Sequence, residues 1–355
     1  VAEAENIVVA TAERIFADLA DAQTINRDKT GAWKAPLWRA VSDAGLPLSW
    51  VAEECGGSGA TLAEGFAVIG AAGRFALAVP LVETMLAGWL LSQANITCPE
   101  GEMTVAPAGP KDRLTLNADG TLSGRARGVP CAREARHIAA LALDGSGRAS
   151  IALFAPAQCR VESHVGLGGD SHDTIALDRA APVAVRPAPD GFDQTSLLLM
   201  GAVVRSLQIA GSLETLLDIT VRYSNERVAF EKKISKFQAV QHNLAKLAGE
   251  SAAALASATS AADAFADPAI SREAAFLEGA AAKIRCSEAA EKAAAIAHQV
   301  HGAIGFTIEH ILHRYSLRAL AWRDDFGSES YWAVELGKRI AADGADELWP
   351  LVASR

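Results

Sequence analysis

The spacing of hydrophobic positions changes twice along the chain. Between Ala2 and Ala20, Ile7, Ala10, Ile15 and Leu19 recur at the spacing of one helical face. Gly45-Leu46-Pro47 and Gly56-Gly57-Ser58-Gly59 read as loops. Thr61 stands three residues before Glu64, the pattern of a capping box, and predicts a helix that runs through Gly70. Beyond about residue 97 the period shortens. Arg113-Leu114-Thr115-Leu116 alternates, Asn117-Ala118-Asp119-Gly120 turns, and Thr121-Leu122-Ser123-Gly124 resumes, which predicts a hairpin. Ile138–Leu143, Ala149–Phe154 and Thr174–Leu177 read as further short strands, with most prolines at strand edges. From about residue 193 the helical period returns. Helices are predicted over Leu197–Glu226, Phe237–Phe265 and from a Ser271 cap to His301, where Gly302 stops the last. Shorter ones follow over His310–Trp322 and Glu329–Ala342. The expected fold class is α+β: an N-terminal helical domain (1–96), a small middle β-domain (97–192) and a C-terminal four-helix bundle (193–355).

Composition sharpens this. Half of the 355 residues are hydrophobic and 21% are charged, which excludes disorder. Alanine is abundant after position 200 and lets helices pack closely. A net charge of −9 gives no basic footprint for nucleic acid. The pair Lys232-Lys233 reads as a solvated helix end or a local anion contact. Five scattered cysteines (Cys55, Cys98, Cys131, Cys159 and Cys286) have no ligand spacing. They read as reduced, buried thiols and imply neither a zinc site nor a disulfide framework. The N-terminal stretch, with Glu3, Glu5 and Glu13, is unlike a signal peptide. The apolar segments Leu81–Leu91 and Leu197–Leu213 are interrupted by polar residues. No membrane span and a cytoplasmic location are therefore expected.

Three motifs carry chemistry. Ala52-Glu53-Glu54-Cys55-Gly56-Gly57-Ser58-Gly59 is the weakest. Arg227-Val228-Ala229-Phe230-Glu231-Lys232-Lys233-Ile234, followed by Phe237-Gln238, is the second. Gln299-Val300-His301-Gly302-Ala303-Ile304-Gly305-Phe306-Thr307, followed by His313-Arg314-Tyr315, is the third. In this order and spacing they resemble the Pro-Glu-Glu-x-Gly-Gly-x-Gly, Arg-x-x-Phe-Gly-x-x-Ile…Phe-Gln and Gln-x-x-Gly-Gly-x-Gly-Phe-Thr segments of the acyl-CoA dehydrogenase family. The resemblance implies FAD as cofactor, an acyl-CoA substrate and electron-transfer flavoprotein as acceptor. It also implies that Arg227, Phe230, Gln238, Gln299 and Gly302 contact the FAD diphosphate and adenine end, reaching into the site of a neighbouring subunit. An arginine fork suits a diphosphate, and Gly302–Gly305 lets backbone approach a ligand. The competing reading makes Arg227 an ordinary helix C-terminal cation and Gly302 a simple helix stop. His301 and His313 read as structural histidines.

The chain also departs from the family pattern. The family reaction removes a proton α to a thioester, which needs a carboxylate base, and passes a hydride to the flavin. Aligned on Arg318, Asp325-Phe326-Gly327-Ser328 stands where Tyr-Glu-Gly is expected, with Gly327 at the base position. The alternative base position, early in the first long helix, falls on Gly201 and Ala202; the nearest acids, Asp193 and Glu214, are out of register. Thr104–Lys111 replaces the Thr-Glu-Pro-x-x-Gly-Ser-Asp segment, and Gly128-Val129-Pro130-Cys131-Ala132 replaces Trp-Ile-Thr/Ser. These features, with Val79-Pro80-Leu81-Val82-Glu83-Thr84, resemble the short, base-less subunit of heteromeric (α2β2) acyl-CoA dehydrogenases, a type known in steroid side-chain degradation. A homologous partner chain is therefore expected. Two alternatives stay open. One is a homo-oligomeric enzyme with Asp324, Asp325 or Glu329 as base, against which these acids are ion-paired to Arg318 or Arg323. The other is a scaffold without flavin.

Overall fold

The computed structural model describes residues 7–353. Five helices open the chain: α1 (Ile7–Leu19), α2 (Ala22–Arg27), α3 (Lys34–Asp43), α4 (Leu62–Arg74) and α5 (Leu81–Ser92). The expected first helix is present from Ile7, and its residues 2–6 lie outside the described ones. The capping box forms as read: Thr61 Oγ1 accepts from the Glu64 N–H, and Glu64 reaches back to the Thr61 N–H. α4 runs one turn beyond Gly70, because its last turn packs against the bundle.

Eight strands follow: β1 (Met103–Ala106), β2 (Arg113–Leu116), β3 (Leu122–Pro130), β4 (His137–Leu143), β5 (Ala149–Phe154), β6 (Arg160–Glu162), β7 (His172–Ala180) and β8 (Ala184–Pro187). They form one sheet in the order β6-β7-β3-β2-β4-β5-β8, with β1 parallel to β4. The hairpin is β2–β3, in register from Arg113↔Arg125 to Leu116↔Leu122. The sheet has its own apolar cluster, including Leu114, Val129, Ile138, Phe154 and Ile175. On β4 and β5 successive residues alternate between this cluster and the main core, so both faces of these strands are buried. β7 is longer than the predicted Thr174–Leu177 at both ends, since pairing with β3 and β6 satisfies its polar residues.

The bundle consists of α6 (Gln194–Glu226), α7 (Gln238–Ala266), α8 (Arg272–His301) and α9 (Leu312–Trp322), with α10 (Glu329–Asp343) against α8 and α11 (Leu348–Ala353) at the end. Ser271 caps α8 by accepting from the Ala274 N–H, and Gly302 ends it at φ +64°. By length and composition α6 could cross a membrane, but 94% of its apolar window is buried inside the protein. Its polar interruptions were thus a weaker guide than the packing around it. A close crossing joins the bundle to the N-terminal helices. A β-carbon on Gly211 would sit 2.2 Å from the Gly70 carbonyl, and one on Gly73 would sit 2.4 Å from the Gln208 carbonyl. One apolar cluster runs from α1 through the outer face of the sheet into the bundle.

Two readings are corrected. Lys232-Lys233 is no helix end: it forms strand β10, paired with β9 (Val228–Ala229) in a tight hairpin. Of the five free cysteines only Cys98 and Cys286 are buried; Cys55, Cys131 and Cys159 are half-buried.

Candidate functional site

A cavity of about 1130 Å³ lies where α3, α5, the β3 and β7 ends, α6 and α9 converge. Trp38, Leu48, Leu77, Val82 and Trp322 give it apolar wall. Its floor is a buried charge network centred on Arg205 of α6, which is 2% exposed. The Arg205 guanidinium donates to Asp325 Oδ2 (2.9 Å), Glu83 Oε1 (2.8 Å) and Gln208 Oε1. The other Asp325 oxygen faces His172 Nε2 at 2.7 Å. Buried charges persist only when paired this way.

The electrostatics follow. Burial alone would raise the Asp325 carboxyl, but Arg205 and the His172 hydrogen bond outweigh it and hold Asp325 below the usual carboxylate range. The Asp325 hydrogen bond raises His172. Arg205 is raised, because Glu83 and Asp325 outweigh its burial. Lys283 of α8, fully buried beneath the same corner, is pushed down by desolvation to about 7 and donates to the Trp322 carbonyl. Cys131 lines the cavity, and burial with Glu83, Asp170 and Glu134 nearby pushes its thiol well up, so it is a neutral thiol and a poor nucleophile.

Of the ion pairs expected for the acids after α9, Glu329 with Arg323 forms (3.6 Å), whereas Asp325 pairs with neither Arg318 nor Arg323. Arg318 pairs with Asp170 and Arg323 with Glu291 and Glu329, whereas Asp325 turns inward to Arg205 and His172. Asp325 has both oxygens engaged and a lowered pKa, a poor arrangement for taking a proton. Gly327, at φ +96°, has no room for a side chain: a β-carbon there would lie 2.6 Å from the Tyr331 ring and 2.7 Å from Trp332 Nε1. The alternative base position meets the same corner, since a β-carbon on Gly201 would sit 2.3 Å from the Phe326 ring. The Phe326 N–H donates to the Ala108 carbonyl (3.0 Å), joining the loop after α9 directly to the β1–β2 loop. Neither a flavin ring nor a thioester can lie between the backbones at that point. Thr104 is spent internally, donating to the Pro130 carbonyl at 2.6 Å.

The other motif residues lie together at the far end of the bundle, facing outward. Arg227 caps α6 and Gln299 sits in the last turn of α8; both are exposed, as are Gln238 and Gly302. The Arg227, Gln238 and Gln299 side chains make no hydrogen bond or ion pair among the described residues. Tyr223 joins the two segments: its hydroxyl donates to the His301 carbonyl (3.2 Å), and its ring stacks on His301 at 4.4 Å. Phe230 is 89% exposed at the tip of the β9–β10 hairpin. Phe230 and Glu231 both adopt positive φ, +50° and +64°. That geometry suits a two-residue hairpin turn but costs non-glycine residues roughly 1–2 kcal/mol each. The Gly302 face is open, with nothing within 4 Å of where a β-carbon would stand. His301 is structural, with its ring Nδ1–H donating to the Ala297 carbonyl at 2.8 Å.

Arg205, His172, Glu83 and Gln208 escaped the motif reading. Arg205 had a signal: it is the lone charged residue between Asp193 and Glu214 in an apolar helix. Glu83 lay inside a quoted motif without a role. His172 had no local signal, for strand pairing brings it to Asp325 from 153 residues away.

Comparison with known proteins fits this geometry. Residues 190–331 match the family model of the acyl-CoA dehydrogenase C-terminal domain. Acyl-CoA dehydrogenase IpdE2 of Mycobacterium tuberculosis is 28% identical over 286 residues, 80% of each chain. A chain of the ChsE4-ChsE5 complex from Mycobacterium tuberculosis superposes with a TM-score of 0.84 at 24% identity, over 96% of this chain and 98% of that one. A chain of the Tcur3481-Tcur3483 steroid ACAD G363A variant gives 0.80 at 24% identity, over 95% and 97%. The two structures share the fold, while the family model and the aligned relative share sequence. Taken with the paired Arg227 and Gln299 segments, they show that residues 190–331 carry an acyl-CoA dehydrogenase C-terminal domain, within a chain similar over most of its length to oxidoreductases named acyl-CoA dehydrogenases, whose cofactor is FAD.

Proposed function

We propose that this chain is the base-less subunit of a heteromeric acyl-CoA dehydrogenase and lends contacts to FAD held by a homologous partner. The observation that carries the reading is the division of the molecule into a closed end and an open end. At the closed end, Phe326 bonds to Ala108, Gly327 excludes a side chain and Asp325 is engaged on both oxygens. At the open end, Arg227, Gln238, Gln299 and Gly302 present donors and open backbone to a neighbour. Bound FAD supplies the hydride acceptor for α,β-dehydrogenation of an acyl-CoA. This chain's part is to hold the diphosphate with the Arg227 fork, to offer the Gln299 and Gln238 amides as hydrogen-bond partners, and to cover the adenine end with Phe230. The names of the two-chain relatives, one of them a steroid enzyme, favour a bulky acyl group and a heterotetramer. Electron-transfer flavoprotein is the acceptor that fits the family.

The test is co-expression with a longer homologue encoded nearby. The chain alone should be colourless and the complex yellow; stoichiometric FAD on the chain alone, bleached by acyl-CoA, would sink the reading. Arg227→Ala in the complex should lower flavin content at least tenfold. Unchanged flavin would favour a scaffold instead.

A further inference from the structure

The cavity beside Arg205 lies against Asp325 at the closed end, yet it is large and well built. At about 1130 Å³ it exceeds what one drug-sized ligand fills. Its charge balance is unusual for a site meant for CoA. The lining carries eight carboxylates against four Lys or Arg cations. Arg136 is paired with Glu102, and Arg205 is shared by Glu83 and Asp325. Of the cations, Lys34 and Arg39 remain, against Asp43, Glu100, Glu134 and Asp324. A nucleotide with several phosphates entering this mouth meets net repulsion. A carboxylate reaching the floor would be a third anion on one guanidinium.

An uncharged oxygen is received differently. The guanidinium carries five N–H donors, and its three hydrogen bonds to Asp325, Gln208 and Glu83 leave two. His172, whose side chain is 37% exposed, stands at the same floor, held by Asp325. The wall above it includes two tryptophans, Trp38 and Trp322.

We propose that this cavity is a ligand site separate from the redox site, selective for a neutral, largely apolar molecule with a hydrogen-bonding ketone or hydroxyl, and that it disfavours CoA thioesters. The apolar body lies against Trp38, Leu77, Val82 and Trp322, and the oxygen accepts from Arg205 or His172. The proposal goes beyond the subunit reading and rests on it, since that reading puts the redox site on the partner.

The experiment uses the chain in its complex, or alone if it is soluble, and follows tryptophan fluorescence and calorimetry. The probes are progesterone, 1-dodecanol and octanoyl-CoA. Half-buried Ala78 lines the cavity, and Ala78→Trp adds an indole to the apolar wall beside Leu77 and Val82, where the ligand body is proposed to lie. Only binding that Ala78→Trp removes is counted, which separates this cavity from any site on the partner. Progesterone or dodecanol should bind saturably at micromolar concentration, octanoyl-CoA at least tenfold more weakly, and His172→Phe should weaken progesterone severalfold. The inference is overturned by no Ala78→Trp-sensitive binding of either neutral probe, or by octanoyl-CoA matching them there. Flavin content is read on the same samples. Normal, Arg227-dependent flavin without neutral-ligand binding defeats this inference and leaves the subunit reading standing.

Discussion

Arg205 shows what a single residue can reveal. A lone arginine in an apolar helix face must find partners or unfold the helix around it, so its presence announced a buried polar site. Which partners it found was invisible locally, since Glu83 and Asp325 lie 122 and 120 residues away in sequence. The structure makes Arg205 the hub of the cavity floor. Replacing it with methionine strands two buried carboxylates, and Arg205→Met should destabilise the fold by about 3–5 kcal/mol. Urea denaturation measures this, and a loss below 1 kcal/mol would mean the network is wet and slack. Gly327 makes the complementary point. Its sequence position said that no base stands there, and its packing against Tyr331 and Trp332 says that none can be introduced without moving the loop.

At the scale of elements, caps and stops were legible because they are local. Thr61 with Glu64, Ser271, and Gly302 are each satisfied within four residues of where they stand. The β9–β10 hairpin was not, since Phe230 and Glu231 take left-handed geometry that their residue types do not announce. Helix crossings were also hidden. The α4–α6 contact depends on Gly73 and Gly211, where a β-carbon would meet the Gln208 and Gly70 carbonyls, and glycine inside a helix reads in sequence only as a weak propensity. Gly211→Val should force α4 and α6 apart and cost about 1–3 kcal/mol. Gly249→Val, at an α7 position with nothing within 4 Å of its β-carbon, is the control and should cost well under 1 kcal/mol beyond propensity.

At the scale of the whole molecule, the junction of α6, α8 and α9 holds four histidines: His301 and His310 against Tyr223, with His298 and His313 nearby on α8 and α9. Burial is the first cause that depresses all four, with Arg222, Arg314, Lys29 and Arg318 adding repulsion. His301 falls from 6.5 to about 4. A histidine depressed in the folded state favours folding fully above its unfolded pKa and loses that contribution as pH falls through the unfolded value towards the folded one. The melting temperature should therefore drop between pH 6.5 and 4. His301→Phe, which keeps the stack on Tyr223, should flatten that drop. His172 acts oppositely, its raised pKa favouring folding at low pH and losing that as pH rises through the folded value. If the His301→Phe profile parallels the parent's, the junction is not the source.

The sequence by itself determined the order of helices, strands and helices, the helix caps, the acyl-CoA dehydrogenase resemblance of its C-terminal motifs, and the absence of an acid at position 327. All rest on periods, turn chemistry and short motifs, which span a few neighbouring residues. Tertiary structure alone decided that Asp325 turns to Arg205 and His172, that Phe326 closes onto Ala108, and that Arg227 and Gln299 share one open end. Each of these joins residues more than seventy positions apart, and such contacts exist only once the sheet and bundle have packed.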